Sequence, residues 1–370
     1  MGRYNADNGL DRIWPCRATL ALRLVMPDGG RKHAHLLERG MMEYRKLGQT
    51  DIEVSVLALG CWPFAGGTVW GQQDDAESIA TVRAALDVGI NFFDTAEGYE
   101  NGHSERVLGR GLAGRRKEAI IATKVSPNHL TPAGITAACE RSLENLQTDY
   151  LDLYQIHWPN HDIPIETTWR ALEDLVAAGK VRALGVANFA SGDLADLLAV
   201  GEVAADQMPY SLLWRGIEYE VLPLCREHGV GLVCYAPLAQ GLLTGRYQAA
   251  SEVPDGLART RWYSGERALA KHGEPGCEEE VFVAIAQMSK ISDRVGAPLA
   301  SVALAWVLGQ RGVTSVLVGA RNTEELGWNL PALDLALDSG VAAELEQVME
   351  PVKRALGRNL DMWFAASRMR

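Results

Sequence analysis

The sequence predicts an α/β fold: eight strands, each followed by a helix, closed into one parallel barrel. Three observations predict it. Short apolar runs alternate with amphipathic helical segments from residue 54 onward. No GxGxxG follows an early strand, which weakens the doubly wound open sheet. Polar residues recur where apolar runs end, at Asp94, Lys124 and His157, and the strands of a parallel barrel would carry all three to one face. The expected architecture is therefore a (β/α)8 TIM barrel, with an extra helix between strands 7 and 8 and a C-terminal helix.

Each element has its own warrant. Val54 to Leu59 reads as the first strand, stopped at Gly60. Asp75 to Val88 has Ile79, Val82 and Leu86 at helical spacing, and Gly89 ends it. Asn91 to Phe93 is the second strand and Glu105 to Leu112 a short helix. Ile120 and its neighbours make the third strand. Thr131-Pro132 begins a helix that runs to Leu146. Leu151 to Ile156 is the fourth strand, followed by a helix from Ile165 to Ala178. Val181 to Ala187 is the fifth, followed by Ser191 to Val200. Val203 to Asp206 is the sixth, with Ile217 to His228 its helix. Gly231 to Ala236 is the seventh. Thr314 to Val318 is the eighth, with a helix from Thr323. Between the last two strands, 237–313 holds a polar loop (246–276) and two helical segments, Glu278 to Val295 and Ala300 to Leu308. Long loops on the carboxyl face of a barrel usually cover its site. A last helix runs from Gly340 to about Leu356.

Composition narrows the function. The net charge is −11 with no basic block, which argues against nucleic-acid binding. No apolar run reaches membrane-spanning length, so no membrane partner is expected. Six cysteines are scattered without a CxxC, which fits reduced thiols and a cytoplasmic location. Residues 1–40 read as a non-core extension and a poor signal peptide, because Arg17 and Arg23 interrupt the apolar run. The barrel domain is expected over 41–370. The sequence leaves the oligomeric state open.

The strand-end residues suggest proton transfer. Hydride addition to a carbonyl leaves an alkoxide, so a general acid must supply a proton. Tyr99 suits this if its hydroxyl falls from about 10 towards neutrality, and a nearby ammonium would lower it. Lys124 would supply that ammonium, Asp94 would keep it charged, and His157 would orient the substrate oxygen or share proton delivery. Taken singly, each is an ordinary salt-bridge or packing residue. Asp94 and His157 would also suit a metal, but no HxH, HExxH or carboxylate cluster accompanies them, so no metal is expected.

The segments Asp94-Thr95-Ala96-Glu97-Gly98-Tyr99, Ala122-Thr123-Lys124, Tyr150-Leu151-Asp152-Leu153-Tyr154-Gln155-Ile156-His157-Trp158-Pro159 and Gly185-Val186-Ala187-Asn188-Phe189 resemble the aldo-keto reductase family. Gly66 to Gly71 and His157-Trp158-Pro159 lean towards its bacterial stress-protein-like branch. The resemblance implies an NADP-dependent enzyme that reduces small aldehydes or ketones with NADPH. It makes Tyr99 the proton donor, Lys124 and Asp94 its tuning pair, and His157 the substrate orienter. Asn188 and Gln207 would hold the nicotinamide carboxamide, with Tyr235 stacked under the ring. Further cofactor contacts are implied at Gly60, Cys61, Trp62, Ala236, Pro237, Leu238, Gly241, Gly245, Arg246, Gly319, Ala320, Arg321, Glu325 and Asn329. Ala187 stands where the family usually has Ser, so one carboxamide hydrogen bond is expected to be missing. Arg321 near a helix start is expected to grip the 2′-phosphate, and Asn322 to cap that helix. Trp363 reads either as docking on the barrel or as a wall of the substrate pocket. The same resemblance also reaches cofactor-binding regulatory proteins such as potassium-channel beta subunits.

Overall fold

The computed structural model describes residues 42–370; the expected extension over 1–40 lies outside the described residues. β1 (Tyr44–Lys46) and β2 (Glu53–Ser55) form an antiparallel hairpin. β3 (Leu57–Gly60) then enters the barrel. The expected first strand is thus divided between two sheets. Val56 is the switch: its N–H bonds Glu43 O of the hairpin, while its carbonyl accepts from Val316 of the barrel. Both halves are buried, so the apolar pattern runs through the break unmarked.

A turn of helix, α1 (Gly67–Trp70), follows β3. α2 (Asp75–Asp87) is capped by the Asp74 side chain, which accepts from Ala76 N. β4 (Phe92–Asp94), α3 (His103–Gly111), β5 (Ile120–Val125) and α4 (Pro132–Leu146) come next, with Thr131 capping α4. β6 (Leu151–Ile156), α5 (Ile165–Ala177), β7 (Val181–Ala187) and α6 (Ser191–Leu198) lie close to their expected bounds. β8 (Ala205–Pro209) sits later than expected, because Gln207, Met208 and Pro209 keep pairing with β9 (Gly231–Tyr235). α7 (Val221–His228) starts later than expected, after a separate turn at Gly216–Glu218. The insertion supplies α8 (Glu278–Val295) and α9 (Leu299–Leu308). β10 (Val313–Gly319), α10 (Thr323–Asn329) and α11 (Ser339–Leu356) complete the chain's regular structure.

The eight strands from β3 to β10 close into a parallel barrel, and β10 pairs with β3 at the seam, Val316–Gly319 against Leu57–Gly60. α9 is buried along its length and covers the barrel, whereas α8 is the extra helix and packs on α11. The inside of the barrel is filled by Ala58, Phe92, Ala122, Leu153, Ala183, Ala205, Val233 and Leu317. Leu47, Ile52 and Val54 of the hairpin join this cluster and plug the amino-terminal mouth. Gly48 lets the plug seat: at φ +59°, a Cβ there would lie 2.3 Å from Ala204 O. Cys61, Cys139, Cys225, Cys234 and Cys277 are buried free thiols. Among the described residues, no single helix is long and apolar enough to cross a membrane.

Candidate active site

The carboxyl-terminal mouth is built differently. Asp94 ends β4, Lys124 lies one residue before the end of β5, and His157 directly follows β6. Parallel register brings them together. Lys124 is fully buried, and a buried ammonium keeps its charge only with close acceptors. Its Nζ donates to Asp94 Oδ1 at 2.6 Å, Thr95 O at 2.8 Å and Tyr99 Oη at 3.3 Å. Asp94 Oδ2 accepts from Gln207 Nε2 at 2.7 Å and Gln155 Nε2 at 3.3 Å. Tyr99 stacks on Trp62, ring centroids 5.8 Å apart, and meets His157 edge-on at 5.7 Å.

The electrostatics differ from the sequence expectation in one respect. Burial lowers the affinity of Lys124 for its proton, but Asp94 and Tyr99 more than reverse this and hold it above 10.5. The Tyr99 hydroxyl, expected to fall, is raised above 10.0. Burial is the main cause; Lys124 pulls the other way, and Asp94 offsets part of that pull. The pull of Lys124 is the largest lowering influence, but it does not overcome burial. His157 is pushed down to about 3 by burial and by the charges of Lys124 and Arg368. It is therefore neutral at ordinary pH, a hydrogen-bonding group rather than a source of positive charge.

The other expected residues surround this centre. Gly60, Cys61 and Trp62 close β3, and Cys61 N bonds Asp94 O at 2.8 Å. Asn188, just past β7, is held at φ +64°. Its Nδ2 donates to His157 O, and its Oδ1 accepts from Tyr235 Oη at 2.8 Å. Gln207 points at Asp94, so its nitrogen is engaged before any ligand arrives. Tyr235 ends β9 with Ala236, Pro237 and Leu238 after it, and Gly241 and Gly245 carry the next turns at positive φ. Arg246 stacks on Tyr247, 4.5 Å from the ring centre. Gly319 ends β10, with Ala320 and Arg321 next. The Arg321 guanidinium bonds Gln73 Oε1 and Gln72 O across the seam. Glu325 takes the backbone N–H of Arg321 rather than its side chain, and Asn322 caps α10 as expected. Asn329 Nδ2 bonds Glu325 O at 3.0 Å, with Gly319 O at 3.5 Å.

One feature was not visible in the sequence, and one expected only as an alternative takes definite form. Arg259, in the long loop, lies over the Trp62 ring at 5.8 Å, and its buried Nε has no hydrogen-bond partner. No motif marks it; the signal is an unpaired charge in a folded loop. The tail beyond α11 crosses the carboxyl face. Met362 O accepts from Arg261 N, and buried Asp361 pairs with Arg368 at 2.7 Å. Trp363 stands parallel to Tyr235 at 6.4 Å and edge-on to Trp158 at 5.9 Å. Arg368 lies 3.5 Å over Trp158.

Arg246, Arg259 and Arg321 share a property. Among the described residues, no carboxylate lies in salt-bridge range of any of their side chains. They lie on the loops after β9 and β10, on a chain of net charge −11. Cations without carboxylate partners suit a ligand that brings phosphates.

The sequence model of the aldo/keto reductase family matches residues 56–350. Aldo-keto reductase YhdN of Bacillus subtilis (strain 168) is 36% identical over 315 residues, covering 79% of this chain and 91% of that protein. The NADH-specific methylglyoxal reductase of Escherichia coli (strain K12) is 33% identical over 332 residues, covering 83% and 98%. A crystal structure of an aldo/keto reductase from Klebsiella pneumoniae, in complex with NADP and acetate, superposes with a TM-score of 0.69 at 31% identity, covering 86% of this chain and 98% of that one.

Proposed function

The chain belongs to the aldo/keto reductase family, and from that premise we propose that it reduces small aldehydes or ketones to alcohols with NADPH, reversibly. The observation that carries this reading is the buried chain of contacts Asp94–Lys124–Tyr99, 2.6 and 3.3 Å long, at the open mouth of the barrel.

The residues fit a nicotinamide dinucleotide. Arg246, Arg259 and Arg321 offer positive charge without carboxylate partners among the described residues, and Tyr235 offers an aromatic face near Asn188. When bound, the reduced nicotinamide supplies the hydride. This chain's own residues do the rest. Neutral His157 donates a hydrogen bond to the substrate's carbonyl oxygen and fixes its direction. Tyr99 Oη gives its proton to that oxygen as negative charge grows on it. Lys124, 3.3 Å from the hydroxyl, stabilises the phenolate left behind and offsets part of the burial that raises the phenol. Asp94 holds Lys124 in place and charged. In the reverse direction the phenolate takes the proton back. Arg321 would read the 2′-phosphate and set the preference for NADPH.

The test is turnover of a panel of aldehydes and ketones with NADPH and with NADH. Turnover with NADPH favoured supports the reading. Tight NADPH binding with no turnover of any carbonyl would instead support a cofactor-binding regulatory protein on the same fold.

A further inference from the structure

We infer that Glu97 is a positioning residue: its carboxylate ties the loop carrying Tyr99 to the end of the strand carrying Lys124, and so fixes the proton donor against its ammonium. The inference rests on the role proposed for Tyr99.

The backbone ladder fails where Tyr99 needs it. After β4, Thr95 N bonds Ala122 O at 2.9 Å, but the next rung, Glu97 N to Lys124 O, is stretched to 3.4 Å. Beyond it, strand pairing stops. The Glu97 side chain then turns back and supplies the missing rung. Its Oε1 accepts from Ser126 N at 2.8 Å, two residues past Lys124. The same carboxylate accepts from His129 Nδ1 at 2.8 Å and Arg141 Nη2 at 3.0 Å.

Burial ranks these contacts. The Glu97 side chain is 8% exposed, whereas His129 and Arg141 are 37% and 49% exposed. These two contacts are therefore open to water and screened, and the bond from Ser126 N is the anchor. Burial favours a neutral Glu97, but the Ser126 N–H, His129 and Arg141 outweigh it and keep the carboxyl below 4.5.

The loop needs the anchor because the backbone just past Tyr99 is strained. Glu100, Asn101 and Gly102 take φ of 46°, 50° and 77°, so three consecutive left-handed residues join Tyr99 to α3. Glu100, neither glycine nor asparagine, is held there against its preference. On the far side, Ser104 ties Thr95 Oγ1 to Cys61 O at 2.9 and 2.7 Å. Tyr99 is thus held from two directions, and Glu97 is the hold that faces Lys124.

The experiment compares Glu97→Ala and Glu97→Gln in the wild type and in a Tyr99→Phe background, with 4-nitrobenzaldehyde and NADPH. We expect Glu97→Ala to lower kcat ~10-fold or more by misplacing the hydroxyl, with KM for NADPH within about 2-fold. Glu97→Gln, which keeps an acceptor for Ser126 N, should recover part of the loss. In the Tyr99→Phe background the further loss should be under about 2-fold, because there is no hydroxyl left to misplace. In the ligand-free protein, amides 95–101 should exchange hydrogen faster in Glu97→Ala while the barrel strands do not. Equal losses in both backgrounds would overturn the inference alone, as would unchanged exchange over 95–101. Wild-type turnover by Tyr99→Phe would overturn the tyrosine's role and this inference with it.

Discussion

The two mouths of one barrel bury very different side chains. At the amino end, Leu47, Ile52 and Val54 sit on Ala58, Phe92 and Val233, with no charge among them. At the carboxyl end, a lysine and an aspartate are buried in contact, ringed by Gln155, Gln207 and Tyr99. The first arrangement gains stability from area removed from water. The second recovers by pairing what desolvation costs, and gives little net stability in return. The difference separates folding from chemistry along the barrel axis, and substitutions at the two ends should fail in different ways.

Tyr99→Phe should give the largest effect. Turnover of an aldehyde is expected to fall at least ~10²-fold, with NADPH binding and melting temperature unchanged. Near-normal turnover would show that the carboxyl mouth is not where the proton comes from. Leu47→Ala should do the opposite. It is expected to cost about 2–5 kcal/mol of stability by opening a cavity in the plug, with kcat kept at temperatures where the protein is folded. A parallel loss of kcat would blur the division between the mouths.

Arg321→Ala sharpens the comparison at the rim. It should weaken NADPH binding by about 1.5–3 kcal/mol and leave NADH almost untouched, measured by titrating both cofactors. Equal losses would mean that the 2′-phosphate is read elsewhere. The pH dependence of stability should carry a mark of the carboxyl mouth. His157 titrates near 3 when folded, against about 6.5 when unfolded. The unfolded chain therefore takes up this proton first, and the contribution is complete above about 6.5 and erodes as pH falls towards 3. His157→Gln should flatten that limb in denaturation curves, and an unchanged limb would count against a neutral His157. The smallest effect is expected from Trp363→Ala. KM for bulky carbonyls should rise a few-fold, about 1 kcal/mol or less, with NADPH affinity constant. The same change for every substrate would favour simple docking of the tail.

Much of this was legible in the sequence because strand ends are local. β6 and β7 have the expected bounds, and Asp94, Lys124 and His157 could be placed on one face from strand direction alone. The hairpin was not legible, since Val54 is as apolar in the plug as it would be in a barrel strand. The raised Tyr99 hydroxyl depends first on its burial and then on the opposed pulls of Lys124 and Asp94, a balance of tertiary packing and distances that spacing does not encode. Arg259 and the seating of Trp363 rest on contacts between segments remote in sequence, and neither lies in a motif.

The seam between β3 and β10 has a consequence in time. Leu57–Gly60 leave the ribosome early, and their partners Val316–Gly319 leave only after nearly all the rest of the chain. Until then the sheet has two raw edges, and the nascent chain depends on staying unpaired with its neighbours. The Arg321 contacts to Gln72 and Gln73 bridge the same seam. A ligand gripped by residues on both sides of it would act as a late clasp, slowing the reopening of a barrel that synthesis closes last.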